Sequence, residues 1–305
     1  MDSKRILVVT GSRNVQRSVA RALASTGNRP SATGWQRDAI QRRLADGVDM
    51  CIVDADADVD QLGWLLERLY EDHPSTISLL ISRDYSSPAL RDILGRYGLN
   101  HLIAKHGGVS ASAEIIDEAE LIVTCEKLFR RSIFGLDKYL STWAVQLHEH
   151  VVRSTAQKAE AMDALEHFLD QIDCYGAIRP AVNLVADELL MNAIYNAPRD
   201  RDGEPRYAGR DRKLPLELDP GEEVVFCYGC DGKNIAMSIR DAFGSLDREL
   251  IIKYLERCFA GEKAVMESKA AGAGLGLYMV FNSITQLTFN IEQGVATEVI
   301  ASFYA

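Results

Sequence analysis

Two folds in series are predicted for this chain: an α/β domain built on a parallel sheet, then an α+β two-layer sandwich. Three observations carry the prediction. Short, wholly apolar runs alternate with helical patterns over residues 1–125. From residue 154 onward, two long helical stretches precede strands of two-residue alternation. The length, 305 residues, is long for one domain, and two is the natural reading.

In the first domain (1–125), the runs at 5–10 (RILVVT), 50–54 (MCIVD), 76–82 (TISLLIS) and 101–105 (HLIAK) have the continuous apolar character of strands buried on both faces. Helical patterns at 15–25, 36–45, 61–71 and 88–97 separate them. Such alternation builds a parallel sheet covered by helices on both sides. Residues 111–131 are predicted helical and close the domain. Residues 126–153 are predicted to be a helical linker, because 135–153 continues in helical composition without obvious breakers.

The second domain (154–305) begins with an amphipathic helix at 156–172. Pro180 suits the first turn of the next helix. There Val182, Val185, Ala186, Leu189 and Ala193 form one apolar face, while Leu184, Glu188, Asn192 and Tyr195 form another. Strands at 223–228 and 234–240 flank a turn at Asp231–Gly232. Ile235, Met237 and Ile239 alternate with Ala236, Ser238 and Arg240, the period of a half-buried strand. Helices are predicted at 246–259 and 275–287, a mobile lid at 262–273, and a closing hairpin from 288–292 and 298–303. The Arg-rich segment 198–215 is long for a connection, so it reads as either a functional loop or a disordered one.

Composition narrows the function classes. A net charge of −10 argues against general nucleic-acid binding and against an anionic membrane surface. The N-terminal apolar run is too short for a signal peptide, and no stretch reaches the ~18 apolar residues of a membrane span. A cytoplasmic protein is expected. The six cysteines are scattered, and buried free thiols are their default reading. Cys227 and Cys230 form a CxxC without a second pair or a nearby His, so they read as structural. His148-Glu149-His150 invites a phospho-acceptor reading, but a solvated His is favoured.

The segment 185–197 (VADELLMNAIYNA) carries the most chemistry. Glu188 and Asn192 stand four residues apart and project from one helical face. Asn192 offers an amide oxygen to a hard cation, and Glu188 is placed to activate an attacking oxygen. Later come Asp241 after a strand, in IRDAFG, and the glycines Gly272, Gly274 and Gly276 of GAGLGL before a helix. Glycine turns admit phosphate oxygens to the backbone amides.

In that order these motifs resemble the GHKL ATP-binding fold, shared by histidine kinases, gyrase, heat-shock chaperone ATPases and anti-sigma-factor serine kinases. The resemblance covers the second half of the chain. It implies ATP and Mg2+ as cofactors, Asn192 as the magnesium ligand and Glu188 as the catalytic base. It implies Asp241 and Thr297 at the adenine, Gly244 in the first glycine box, and Gly272, Gly274 and Gly276 at the phosphates. The chain departs from the family's Asp-x-Gly-x-Gly, reading Asp241-Ala242-Phe243-Gly244-Ser245.

The first domain resembles a response-regulator receiver, of flavodoxin-like fold. Asp54 stands at the phosphoacceptor position, Ser82 at the hydroxyl position and Lys105 at the lysine that closes the fifth strand. The acidic pair that holds magnesium in receivers is replaced by Thr10-Gly11-Ser12. Asp54 is therefore expected to be a degenerate acceptor.

Together the resemblances imply a pseudo-receiver fused to an ATPase-like domain in bacterial signalling. The favoured activity is Mg–ATP-dependent serine/threonine phosphorylation of a regulatory partner protein. The alternative is a non-catalytic ATP-binding scaffold for regulated protein–protein interaction, and a histidine kinase using His148 ranks lower. Self-association into a homodimer is compatible with each.

Overall fold

The computed structural model describes residues 3–83, 88–97, 101–107, 114–140, 145–174, 176, 178–246, 251 and 284–305. The chain divides into two compact units, Met1–Ser132 and Ile133–Ala305.

The first unit runs β1 (Ile6–Val9), α1 (Arg13–Ala24), β2 (Ser31–Thr33), α2 (Arg37–Ala45), β3 (Met50–Asp54), α3 (Val59–Asp72), β4 (Ile77–Ser82), α4 (Pro88–Arg96), β5 (Leu102–Gly107), β6 (Glu114–Ile116) and α5 (Glu118–Arg130). Its sheet has the order β2-β1-β3-β4-β5-β6. The first five strands are parallel, and β6 joins β5 antiparallel. The order 2-1-3-4-5 is the flavodoxin-like one, which places ligand sites at the carboxyl ends of the strands around β1 and β3.

Alternate residues of each strand feed two cores. Ile6, Val8, Met50, Ile52, Leu79 and Ile81 pack with α1 and α5. Leu7, Val9, Cys51, Val53 and Leu80 pack with α2, α3 and α4. Burial on both faces explains why these strands read as continuous apolar runs. Residues 111–131 are not one helix. Asp117 caps α5 by accepting from the Ala119 and Glu120 amides, and β6 precedes it.

In the second unit follow a 3-10 turn (Leu136–Lys138), β7 (His148–Val152), α6 (Thr155–Gln171), α7 (Ile178–Tyr195), β8 (Val224–Cys230), β9 (Asn234–Asp241), β10 (Gln286–Glu292) and β11 (Ala296–Tyr304). Among the described residues the sheet has the order β10-β11-β9-β8-β7 and is antiparallel throughout. One face packs on α6 and α7 through Phe226, Tyr228, Ile235, Met237, Ile239, Ala301 and Phe303. Leu136 and Leu140 pack on Cys227, Ala236 and Ile300 of the opposite face. There Glu298, a buried carboxylate, accepts from the Gly135 amide at 3.0 Å and the Asn290 side chain at 3.0 Å.

Residues 126–153 are not one helical linker. Residues 126–130 finish α5, and 148–152 are an edge strand. His148 and His150 are partly withdrawn from solvent. Both half-buried rings stack on the buried Tyr228, 5.3 and 5.6 Å between centroids, and His150 Nε2 lies 3.1 Å from the Tyr228 hydroxyl. The histidine-kinase reading needs His148 on a helix, and a strand at the sheet edge does not supply one.

Candidate functional site

At the carboxyl ends of β1, β3 and β4 the structure gathers Thr10, Asp54 and Ser82. Thr10 Oγ1 donates to Asp54 Oδ2 at 2.6 Å, and Asp54 is only 6% exposed. The Ser12 amide donates to Thr10 Oγ1 at 2.9 Å, and the Ser12 hydroxyl caps α1 by accepting from Val15. Thr10 thus supports the Asp54 carboxylate and Ser12 starts a helix, so this corner holds hydroxyls where a hard cation wants carboxylates.

Sequence reasoning missed Asp56. Its carboxylate accepts from the Ser82 hydroxyl at 2.8 Å, the Arg83 amide at 2.8 Å and Arg83 Nε at 3.1 Å. Its own amide donates to Asp54 Oδ1 at 3.3 Å. Ser82 therefore bonds Asp56, and a guanidinium sits where charge neutralisation is needed. The DAD spacing at 54–56 was the available signal: two residues on from Asp54, beyond the strand end. Lys105 lies on β5, in register with Ile116.

In the second unit Asp241 ends β9 and pairs in register with Thr297 of β11. Directly opposed residues of an antiparallel pair share a face. Ile239 and Val299, two residues away on each strand, pack in the helix-side core, so Asp241 and Thr297 continue that row. Asp241 is 8% exposed. Burial raises its carboxyl above the usual carboxylate range, against the opposing pull of the Phe243 and Gly244 amides. The Phe243 amide donates to Asp241 Oδ1 at 2.9 Å. Thr297 is 2% exposed, and its backbone and hydroxyl join the Phe243 and Gly244 amides in opposing the effect of burial on Asp241.

Gly244 has φ +57°, and a Cβ there would lie 2.0 Å from the Glu292 carbonyl oxygen. Its requirement for glycine is met by packing on the β10–β11 turn, whatever else binds nearby.

Along α7, Asn192 donates from its side-chain amide to Glu188 Oε1 at 3.2 Å and accepts from Asn196 Nδ2 at 2.9 Å. These amide orientations follow from the bonding pattern. Asn196 was missed by sequence reasoning, although it continues the four-residue spacing of Glu188 and Asn192. All three are partly exposed. Ser245 Oγ donates to the Ala197 carbonyl at 3.0 Å, and Arg199 Nη2 donates to the Ser245 carbonyl at 3.1 Å. The segment after Asp241 is thereby tied to the end of the Glu188–Asn192–Asn196 helix. Gly272, Gly274 and Gly276, the predicted helices at 246–259 and 275–287 and the lid at 262–273 lie wholly or mostly outside the described residues.

The Arg-rich loop 198–215 is folded. Arg199 and Pro205 form a β-bridge. Arg206 Nη1 pairs with Asp219 at 2.5 Å and Glu222 at 2.8 Å, and the buried Tyr207 donates to Glu222 at 2.7 Å. Cys227 and Cys230 do not converge: three residues apart on β8, they pack in opposite-face cores. Burial pushes the Cys227 thiol up to about 11. Among the described residues no cluster of three or more His, Cys, Asp or Glu is placed to hold a metal, and no helix is long and apolar enough to cross a membrane.

No protein-family model matches the chain, and no curated protein does. Among solved structures it is similar to a response regulator from Thermotoga maritima, at 20% identity over 42% of this chain and 98% of that one, TM-score 0.35. It is similar to the signal receiver domain of an HD domain-containing protein from Pseudomonas fluorescens Pf-5, at 17% identity over 43% and 97%, TM-score 0.36. It is also similar to a CheY-like response regulator receiver domain protein from Methanospirillum hungatei JF-1, at 16% identity over 43% and 97%, TM-score 0.35. The N-terminal part of the chain is the part that resembles receiver domains.

Proposed function

We propose that this chain is an ATP-binding bacterial signalling protein. Its receiver-like unit docks a partner without accepting a phosphoryl group, and its second unit holds Mg–ATP. One observation carries the nucleotide reading: the Asp241 carboxylate, an acceptor, is nearly withdrawn from water at the end of β9, opposite the buried Thr297 of β11. Adenine offers an exocyclic amino donor to that carboxylate. Guanine would present a carbonyl oxygen to the same carboxylate, which disfavours it.

The residues also fit magnesium. Asn192 Oδ1 accepts one bond, from Asn196, and a carbonyl oxygen has two lone pairs. Magnesium, when bound, supplies charge neutralisation at the phosphates. The glycines at 272, 274 and 276 would supply backbone amides to those phosphates. Glu188, hydrogen-bonded to Asn192, is held one turn away as a carboxylate able to orient or deprotonate a hydroxyl. Phosphorylation of a partner's Ser or Thr, in the manner of anti-sigma-factor kinases, is the activity this arrangement favours. The scaffold reading draws support from Phe243 in place of the first glycine and from the packing requirement that already accounts for Gly244.

Calorimetry with Mg–ATP on the full chain tests the nucleotide reading. Asp241→Asn is expected to weaken binding roughly tenfold or more, the size of one hydrogen bond to a charged group. Glu188→Gln should keep affinity and lose radiolabel transfer to a co-purified partner. Absence of ATP and ADP binding at millimolar nucleotide would sink the nucleotide reading. Binding with equal labelling, or none, in wild type and Glu188→Gln would leave the scaffold.

A further inference from the structure

The His148-Glu149-His150 segment of β7 places a titratable cluster at the sheet edge. His148 pairs in register with Tyr228 of β8, and His150 with Phe226. Both imidazoles lie nearly parallel to the Tyr228 ring, at interplanar angles of 13° and 15°. His148 also meets Phe168 of α6, 5.0 Å between centroids, and His150 meets Phe226 at 6.4 Å. Tyr228 itself is 1% exposed. Alternation along the strand turns the exposed Glu149 to the other face, so the acid between the two histidines does not neutralise them.

Protonation changes what this cluster can bond. A neutral imidazole can accept the Tyr228 phenol proton at Nε2, 3.1 Å away, whereas a protonated ring carries hydrogen on both nitrogens and cannot. Burial pushes the phenol up to about 12, so it keeps its proton and loses its acceptor. Burial, and then the nearby His148, hold His150 below the ordinary histidine range. β8 offers the rings Phe226 and Tyr228, and α6 offers Phe168. On α6, Lys158 is paired with Asp187, and Glu166 and Asp170 with Arg179, while Glu160, Asp163 and His167 are exposed. Beyond the strand end Arg153 pairs with Glu223. Among the described residues neither imidazole is bonded to a carboxylate.

We infer that β7 is an acid-sensitive clip: protonation of His148 and His150 gathers two positive charges around the Tyr228 ring and releases the strand from β8. A histidine whose folded-state pKa is depressed contributes stability that is whole above its unfolded value and is lost as the pH falls through the folded one. The window of release therefore lies in mildly acidic solution, below about pH 6.5. In neutral solution the stacked rings fasten the strand. Release uncovers the backbone edge of β8, the neighbour of β7 in the sheet. The inference is independent of the nucleotide reading, because none of these residues belongs to the Asp241–Thr297 or Glu188–Asn192 groups.

Hydrogen–deuterium exchange on the full chain, corrected for the intrinsic pH dependence of amide exchange, reads the clip at residues 148–152, with β9 as the internal control. Between about pH 8 and about pH 5, wild-type β7 is expected to lose protection roughly tenfold, the effect of one unit of depression at one ring, while β9 keeps its own. The double variant His148→Phe, His150→Phe keeps flat rings against Tyr228 and cannot titrate. Its β7 protection should stay constant over the same range. Imidazole NMR on wild type gives a reading that stands even if the double variant misfolds: His150 is expected to titrate at lower pH than a histidine in an unstructured peptide. The inference fails if wild-type β7 keeps its protection in acid, if β9 is lost with it, or if the double variant loses protection in parallel. It fails equally if His150 titrates at or above the pH of the peptide histidine.

Discussion

Single side chains decide what the receiver-like unit can do. Thr10 occupies one oxygen of Asp54 at 2.6 Å, and Asp56 engages both Ser82 and Arg83. A phosphoryl group on Asp54 would bring three further charged oxygens to a corner without acidic residues at 10–12 to hold magnesium. Incubation with acetyl phosphate and magnesium is therefore expected to leave the intact mass unchanged. A magnesium-dependent gain of one phosphoryl group, absent from Asp54→Asn, would reverse this reading. Asp241 shows the same dependence on surroundings. Its identity as an acid is plain in the sequence, but its carboxyl lies above the usual range because packing buries it, against the opposing pull of Phe243 and Gly244 in the turn after β9 and of Thr297 on β11.

At the scale of elements, the β10–β11 hairpin and the turn after β9 lock together through backbone. Gly244 accepts at its carbonyl from the Gly294 amide at 3.3 Å, and its φ of +57° is the left-handed region. A methyl group at 244 would overlap the Glu292 carbonyl, which only a shift of the hairpin relieves. Gly244→Ala is expected to destabilise the second unit by about 2–4 kcal/mol, read as a lower urea midpoint. An unchanged midpoint would show that the hairpin yields freely. The edge strand β7 makes a comparable point. Its edge position, its buried Val152 and the stacking of His148 and His150 on Tyr228 make it part of the sheet, not a connector.

For the whole molecule, the division after Ser132 sets where the chain can be cut. Fragments 1–132 and 133–305 each keep a complete core and are expected to melt cooperatively. A cut at 125 removes the last turn of α5 with the buried Lys127 and Leu128, so 1–125 should be less stable than 1–132 by on the order of 2–4 kcal/mol. A fragment starting at 154 loses β7 and exposes the β8 edge, and should aggregate where 133–305 does not. Circular dichroism melts and light scattering check both pairs. Equal stability within either pair would mean that these segments are dispensable.

By itself the sequence determined the two architectures and most of the elements, because buried parallel strands and amphipathic helices write their burial into hydrophobic period. Asp241, Thr297, Glu188 and Asn192 stood out through the resemblance to the GHKL motifs and their order, not through hydrophobic period. Residues 135–153 were misjudged because two of the alternate residues that β7 buries are histidines, so the alternation of burial does not appear as an alternation of apolar and polar residues. The loop 198–215 looked equally ready for disorder, since its Arg and Asp content does not reveal that Glu222 lies across the fold to receive Arg206 and Tyr207. Tertiary structure alone decided how deep these groups lie: Asp241 and Thr297 oppose each other across β9 and β11, and packing on the helix side withdraws both from water, which no local pattern reveals.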